Sequence, residues 1–399
     1  MTTAGALYIL PALRATPDAG GRILLTRKFL DGAAAYAERW PGPVMVCMSA
    51  NDRPDGNLDH VSVEPDELPF SFRWLEASDR AVTRQIRPAS LVLASLVDRH
   101  TRMAERCASC GIALVYVSEY SLRTRRQIIR AETANPLLRV RRTWWTTQLE
   151  KRYERAVRAA DGVQCNGTPV FQAYANVNRS PLLYFDSRVR RSMIVEPQIL
   201  KARTDELRRG GALRLAFSGR LIPMKGADHL PLVAAELNRL GVAFRMDIYG
   251  AGESERAIRA GIDRLNLAGQ VVLRGVLEFE RELVPRISRD VDLFVCCHRQ
   301  GDPSCTYLET MSCGTPIVGY DNEAFAGIVR HSGVGWPTPT DDPRALAGRI
   351  AALDADRACL AEAADRARVF AERHSFEDTM QRRVEHMRSC ARSEQRRVA

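Results

Sequence analysis

The chain has 399 residues, 45% hydrophobic and 27% charged, with ten cysteines and a formal net charge of +10. That length accommodates two domains, each with its own core, and the composition excludes disordered, collagenous and disulfide-stapled classes. No apolar run reaches bilayer length and the N-terminus lacks a basic, apolar and small-residue leader pattern, so a cytoplasmic chain is expected, peripheral on the inner face of the membrane if it meets one. The positive charge suits a polyanion (nucleic acid, a phosphorylated substrate or an anionic membrane surface) without choosing among them.

Residues 6–10, Ala-Leu-Tyr-Ile-Leu, read as a first strand, and Gly20-Gly21 precede an amphipathic helix expected from about Arg22 to Arg39. A glycine pair at a strand-to-helix turn lets a ligand approach the backbone, although a plain turn uses the same residues. Strands follow at 43–48, 90–95 and 112–117, with helical segments after the last two, an alternation that argues for a parallel sheet. Residues 51–73, rich in Asp, Pro and Gly, suit short strands and turns. The 112–117 strand leads into Glu119, a carboxylate at the edge where open α/β sheets bind ligands; the plain alternative is an acid at a helix start.

Residues 123–158 read as a basic helical pair broken near Asn135-Pro136, with eleven Lys/Arg against three acids. Trp145, Leu149, Tyr153 and Ala156 recur at helical spacing, with Trp144 beside them. Either cations and aromatics share a surface suited to an anionic membrane, or the stripe packs inward and the arginines are solvated. Ala160 to Asn166 reads as a further strand, and a linker spans about 186–212.

In the second half, Leu213–Phe217 is a strand with Ser218-Gly219-Arg220 as its exit, and Lys225-Gly226 is expected to begin a helix reaching Leu240. Arg220 and Lys225 would then flank one crevice near a helix N-terminus, where two cations and a dipole neutralise a diphosphate without a metal. A strand at 244–249 runs into Gly250-Ala-Gly252; with Glu255 where a third glycine belongs, this is a poor dinucleotide fingerprint. Val291 to Cys297 is a buried strand, His298 to Ser304 a polar loop, and Thr306 to Cys313 a short helix. The N–H groups of Ser304, Cys305 and Thr306 would face that loop and favour an anion or sugar oxygens, with Glu309 one turn on to accept from vicinal hydroxyls. Asp290-Val-Asp292 precedes its strand and Asp354-Ala-Asp356 lies in a helical pattern, so neither triplet reads as a metal site. Cys107-x-x-Cys110 lacks a second pair or nearby histidines and reads as helix-end thiols, while Cys296, Cys297 and Cys313 read as reduced core thiols.

Gly219-Arg220, Lys225-Gly226, Gly250-Ala-Gly252, Glu309 and Ser312-Cys313-Gly314-Thr315-Pro316 occur in that order within roughly residues 213–376. Together they resemble the donor-binding half of the large retaining GT-B glycosyltransferase family that uses nucleotide sugars (glycosyl transferases group 1, glycosyltransferase family 4). The resemblance implies two doubly wound Rossmann-like domains facing across a cleft: an acceptor-side domain, 1–200, a donor domain, 201–375, and a helix crossing back with a basic tail, 376–399. It implies that Arg220 and Lys225 stabilise the leaving phosphate, Glu309 grips the ribose, and the backbone at Arg274 to Val276 faces the base. It also places the Gly20-Gly21 loop against donor and acceptor and makes Glu119 a catalytic or acceptor-positioning residue. The family's first acid should lie eight positions before Glu309, where this chain has Gly301; Asp302, one residue later, is the expected sugar contact with Ser304 to Thr306.

The expected activity is transfer of a sugar from a nucleotide diphosphate sugar to a saccharide or lipid-linked hydroxyl acceptor, with retention and no metal, in polysaccharide or glycolipid biosynthesis. A nucleotide-sugar epimerase or phosphorylase-like enzyme would share the architecture. A basic nucleic-acid-binding protein would need aromatics interleaved with cations on a recognisable module, and only Trp144-Trp145 offers them.

Overall fold

A computed structural model describes residues 5–53 and 60–398, with side chains described only as far as residue 391. The first half contains β1 (Ala6–Leu10), β2 (Thr16–Pro17), β3 (Ile23–Thr26), β4 (Val44–Met48), β5 (His60–Val63), β6 (Ser71–Trp74), β7 (Ala89–Ser95), β8 (Ala113–Ser118), β9 (Gly162–Asn166) and β10 (Pro181–Tyr184). The second contains β11 (Leu213–Ser218), β12 (Phe244–Tyr249), β13 (Val271–Gly275), β14 (Leu293–Cys296), β15 (Ile317–Tyr320) and β16 (Trp336–Thr338). Two parallel sheets result, ordered β10-β9-β8-β7-β1-β4-β6 and β13-β12-β11-β14-β15-β16. Helices cover both faces of such a sheet, so its central strands are apolar on both sides. β14 and β15 accordingly have no exposed residue, and Phe294 stands opposite Ile317. This is the doubly wound, two-domain α/β architecture expected.

Two local expectations fail. Gly20 and Gly21 do not turn a strand into a helix: they form the turn between β2 and β3, in a small antiparallel sheet with β5. The chain from Ile23 to Thr26 is strand, and the helix begins only at Arg27, where the Thr26 side chain accepts from the Phe29 amide. The helix expected from Lys225 begins instead at Leu230. Gly226 takes a left-handed φ of 64° between two 3-10 turns, Pro223–Lys225 and Ala227–His229, so helical geometry cannot run through it. The basic pair forms as two helices, Leu122–Glu132 and Pro136–Ala159, with the Asn135 side chain capping the second.

The chain crosses between domains twice. After β10 it passes through residues 185–196 to the helix Pro197–Arg209, which packs on the second-domain helix Arg357–Arg373, so the crossing precedes residue 200. It returns at Ser375, where the Phe376 amide donates to the Val189 carbonyl. The last helix, Phe376–Val398, lays Met380, Val384, Met387 and Cys390 into the first-domain core; it takes in the basic tail as far as Val398, and Ala399 lies outside the described residues. The carboxyl edges of the two sheets meet: Thr124 Oγ1 donates to the Gly301 carbonyl at 3.1 Å, and the Gly301 amide donates to Gln127 Oε1 at 3.1 Å.

Candidate active site

The second-domain wall is built from loops leaving β11, β12 and β14. The first two are laced by backbone hydrogen bonds, Gly219 N–H to Tyr249 O (3.1 Å) and Leu221 N–H to Ala251 O (2.9 Å). Gly250, at φ 129°, lies so close that a Cβ there would stand 1.9 Å from the Gly219 carbonyl oxygen. The close packing that excludes a side chain at Gly250 is thus between the two loops, with Gly219 and Gly252 at the same crossing. Arg220, at the β11 exit, is exposed, and its guanidinium has no hydrogen-bond or ion-pair partner among the described residues.

Lys225 is buried, with its ammonium 2.9 Å from Asp302 Oδ2 and 3.3 Å from Ser304 Oγ. The residue after it explains the fit: a Cβ on Gly226 would stand 2.0 Å from the Cys297 carbonyl oxygen, so only glycine brings this turn onto the end of β14. Burial works to raise the Asp302 pKa, but the Lys225 charge beside it holds it below the ordinary carboxylate value. The other carboxylate oxygen, Oδ1, is buried without a partner. The cation and acid singled out separately are therefore one buried pair with an unused acceptor. His298, fully buried beside them, is pushed by burial down to about 3 and is neutral.

An acid at Gly301 would be disfavoured, because its Cβ would stand 2.9 Å from Glu323 Oε2 and crowd like charge there, and the Gly301 amide and carbonyl bind the first domain. The Ser304 amide is also occupied, donating to the Asp302 carbonyl at 2.8 Å, which removes it from the set of free donors expected there. The Cys305 thiol, raised to about 12 by burial, accepts from Lys28 Nζ at 3.2 Å, and Thr306 opens the short helix. One turn on, Glu309 Oε1 accepts from Arg188 Nε at 2.7 Å, and that guanidinium lies 3.7 Å from the Phe279 ring centroid. Arg274 is held by Asp247 at 2.9 Å.

Opposite this wall, a cavity of about 490 Å³ opens at the carboxyl ends of β1, β7 and β8 and is closed by the last helix. Glu119 lines it, while Gly20 and Gly21 do not. Enclosure by the cavity walls and the nearby Asp186 carboxylate raise the Glu119 pKa, against the pull of Lys28 and Arg383. Lys28, Asp186, Arg188 and Arg383 also line the cavity, and sequence reasoning missed all four. Lys28 and Asp186 form an ion pair of 2.6 Å, and Arg383 sits over the Tyr184 ring at 4.2 Å. Asp186 carried a signal, being a carboxylate just beyond the apolar strand β10, as Glu119 is beyond β8. Arg220, Lys225 and Glu309 lie outside this cavity; Tyr120 joins the two walls, lining the cavity within electrostatic reach of Asp302 and Arg220.

Residues 199–371 match the family described as Glycosyl transferases group 1. WcaL of Escherichia coli (strain K12), assigned as a colanic acid biosynthesis glycosyltransferase, is 32% identical over 173 residues, 41% of this chain and 41% of that protein. Its Salmonella typhimurium counterpart is 29% identical over 148 residues, 36% of each chain. The alignments thus span well under half the length of these relatives. Among solved structures, Anabaena Alr3699/HepE in complex with UDP superposes with a TM-score of 0.65 at 16% identity, over 96% of this chain and 99% of that one. A glycosyltransferase from Rickettsia africae ESF-5 does so with a TM-score of 0.64 at 12% identity, over 98% and 99%. At such identities the superpositions speak for the fold: the chain has the GT-B fold, and its residues 199–371 are similar to the glycosyl transferases group 1 family.

Proposed function

We propose that this protein transfers a glycosyl unit from a nucleoside diphosphate sugar to a hydroxyl of a saccharide or lipid-linked acceptor, with retention, in polysaccharide or glycolipid biosynthesis. The observation that carries the reading is the second-domain wall of a group 1 domain. It combines an unpartnered Arg220, a buried Lys225–Asp302 pair with a spare carboxylate oxygen, and Glu309 one helical turn beyond. In the proposed reaction the bond from the anomeric carbon to the phosphate oxygen breaks as the acceptor oxygen bonds to that carbon, and the departing phosphate oxygen takes the acceptor hydroxyl's proton. Negative charge grows on the departing diphosphate, and cations that meet it there lower the barrier because that charge is larger in the transition state than in the bound donor. Arg220 and Lys225 take that role, Asp302 Oδ1 accepts from a sugar hydroxyl, and Glu309 exchanges Arg188 for the ribose. Across the cleft, Glu119 orients the acceptor.

The donor half is tested by thermal shift with UDP-, GDP- and ADP-sugars; UDP-glucose, present in one HepE structure, is the natural first compound. A true donor at 100 times its Kd should add about 2.7 kcal/mol of stability, and Glu309→Gln should weaken nucleoside diphosphate binding in calorimetry. No shift with any sugar nucleotide would overturn the donor assignment.

A further inference from the structure

The helix Pro136–Ala159 divides at Thr146. Beyond it Leu149, Tyr153, Ala156 and Val157 are buried, whereas none of residues 136–145 is. Those ten residues, about 15 Å of helix, make their side-chain hydrogen bonds to other parts of the chain, among the described residues, only to Thr133 just beyond Leu122–Glu132: Arg139 donates to the Thr133 carbonyl and Arg142 to Thr133 Oγ1. The root of the hairpin lies at the cleft edge, where Arg125 pairs with Glu150 and Thr124 bonds to Gly301. Since the helix ends at the start of β9, its other end projects past the carboxyl edge of the first sheet. Leu137, Leu138, Val140, Trp144 and Trp145 sit on that projection. They are five of the eleven large apolar side chains exposed among the described residues, with Leu137 81% and Trp144 63% exposed. Around them Arg126, Arg130, Arg139, Arg141 and Arg142 have no ion-pair partner among the described residues.

We propose that this hairpin tip docks the protein on an anionic lipid bilayer, the apolar side chains entering the acyl boundary and the arginines meeting the headgroups. The chemistry selects the partner. An apolar tip alone would suit a second copy of the chain, but bringing two such tips together opposes five unpaired arginines on each. Nucleic acid would satisfy the arginines and leave Leu137 and Val140 in water. An anionic leaflet satisfies both, and no helix among the described residues is long and apolar enough to span it. The assignment does not rest on the transfer reaction.

Sedimentation of the full chain with vesicles tests it. Phosphatidylcholine with 30% phosphatidylglycerol should pellet the protein at low salt, phosphatidylcholine alone should not, and 0.5 M salt should release it. Arg130→Glu with Arg141→Glu, at two side chains that make no hydrogen bond among the described residues, should lower binding at least tenfold, as should Trp144→Ala with Trp145→Ala, each with unchanged circular dichroism. Brominated acyl chains should quench tryptophan fluorescence in the wild type and less in the tryptophan variant. Protein left in the supernatant with anionic vesicles at low salt would overturn the proposal. So would vesicle binding that both double variants retain, or a dimer or oligonucleotide complex that needs these residues without any vesicle binding.

Discussion

Lys225 and Asp302 form a buried ion pair of 2.9 Å. Removing one partner of a buried pair strands the other, at a cost of about 3–5 kcal/mol, while replacing both with apolar groups is often near neutral. Lys225→Met should therefore lower the denaturation midpoint sharply, and Lys225→Met with Asp302→Leu should recover most of it while remaining inactive. If the double variant is as unstable as the single one, the pair is not the coupled unit that the geometry describes. Sequence reasoning named both residues but not their partnership, because residues 77 apart meet only through the fold. It missed the pairing of Lys28 with Asp186 for the same reason: they are 158 positions apart, and only the place of Asp186 just beyond β10 offered a signal.

The loops leaving β11 and β12 owe their close approach to glycine. A Cβ on Gly250 meets the Gly219 carbonyl, backbone that has nowhere to go, whereas one on Gly20 meets nothing within 4 Å. Both have left-handed φ, so alanine at Gly20 costs only the backbone strain, about 1 kcal/mol, and alanine at Gly250 adds a collision with the neighbouring loop. Thermal denaturation should show a small shift for Gly20→Ala and a loss of more than about 3 kcal/mol for Gly250→Ala; equal effects would contradict the packing account. The central strands could be read from the sequence because their apolar runs are unbroken, as in β14 and β15. The hairpin β2–β3 could not: a two-residue strand has no period, and the apolar residues from Ile23 to Leu25 merged with the helix that follows. Gly226 was read as a helix start because its left-handed conformation is imposed by the contact with Cys297, which no local pattern records.

For the whole molecule, acid should be the weak side. Burial holds His100 at about 4 and His298 at about 3, and unfolding returns each to about 6.5. Between those values the unfolded chain binds a proton that the folded chain refuses, so stability is steady above about pH 6.5 and falls on acidification. The slope reaches about 1.4 kcal/mol per pH unit for each histidine. Asp302 acts in the same direction lower down: its depressed folded pKa gives stability that is present above the ordinary carboxylate value and lost as pH falls through the folded one. Denaturant midpoints at pH 7.5, 6 and 5 should decline across both intervals and more steeply across the lower one, and a flat profile would mean that these histidines are not buried neutral.

In the proposed site both sheets take part, since the wall assigned to the diphosphate comes from one domain and the cavity lined by Glu119 from the other. The measurement that bears most directly on this account is release of nucleoside diphosphate from a sugar nucleotide, with and without a hydroxyl acceptor, by the wild type and by Arg220→Ala. The Arg220 side chain is exposed and has no hydrogen-bond or ion-pair partner among the described residues, so its removal reports on chemistry. The account predicts acceptor-dependent release that Arg220→Ala slows by about 10²-fold or more, the effect of one lost transition-state donor, with an unchanged melting temperature. Undiminished turnover in Arg220→Ala, or equal release with and without an acceptor, would contradict it.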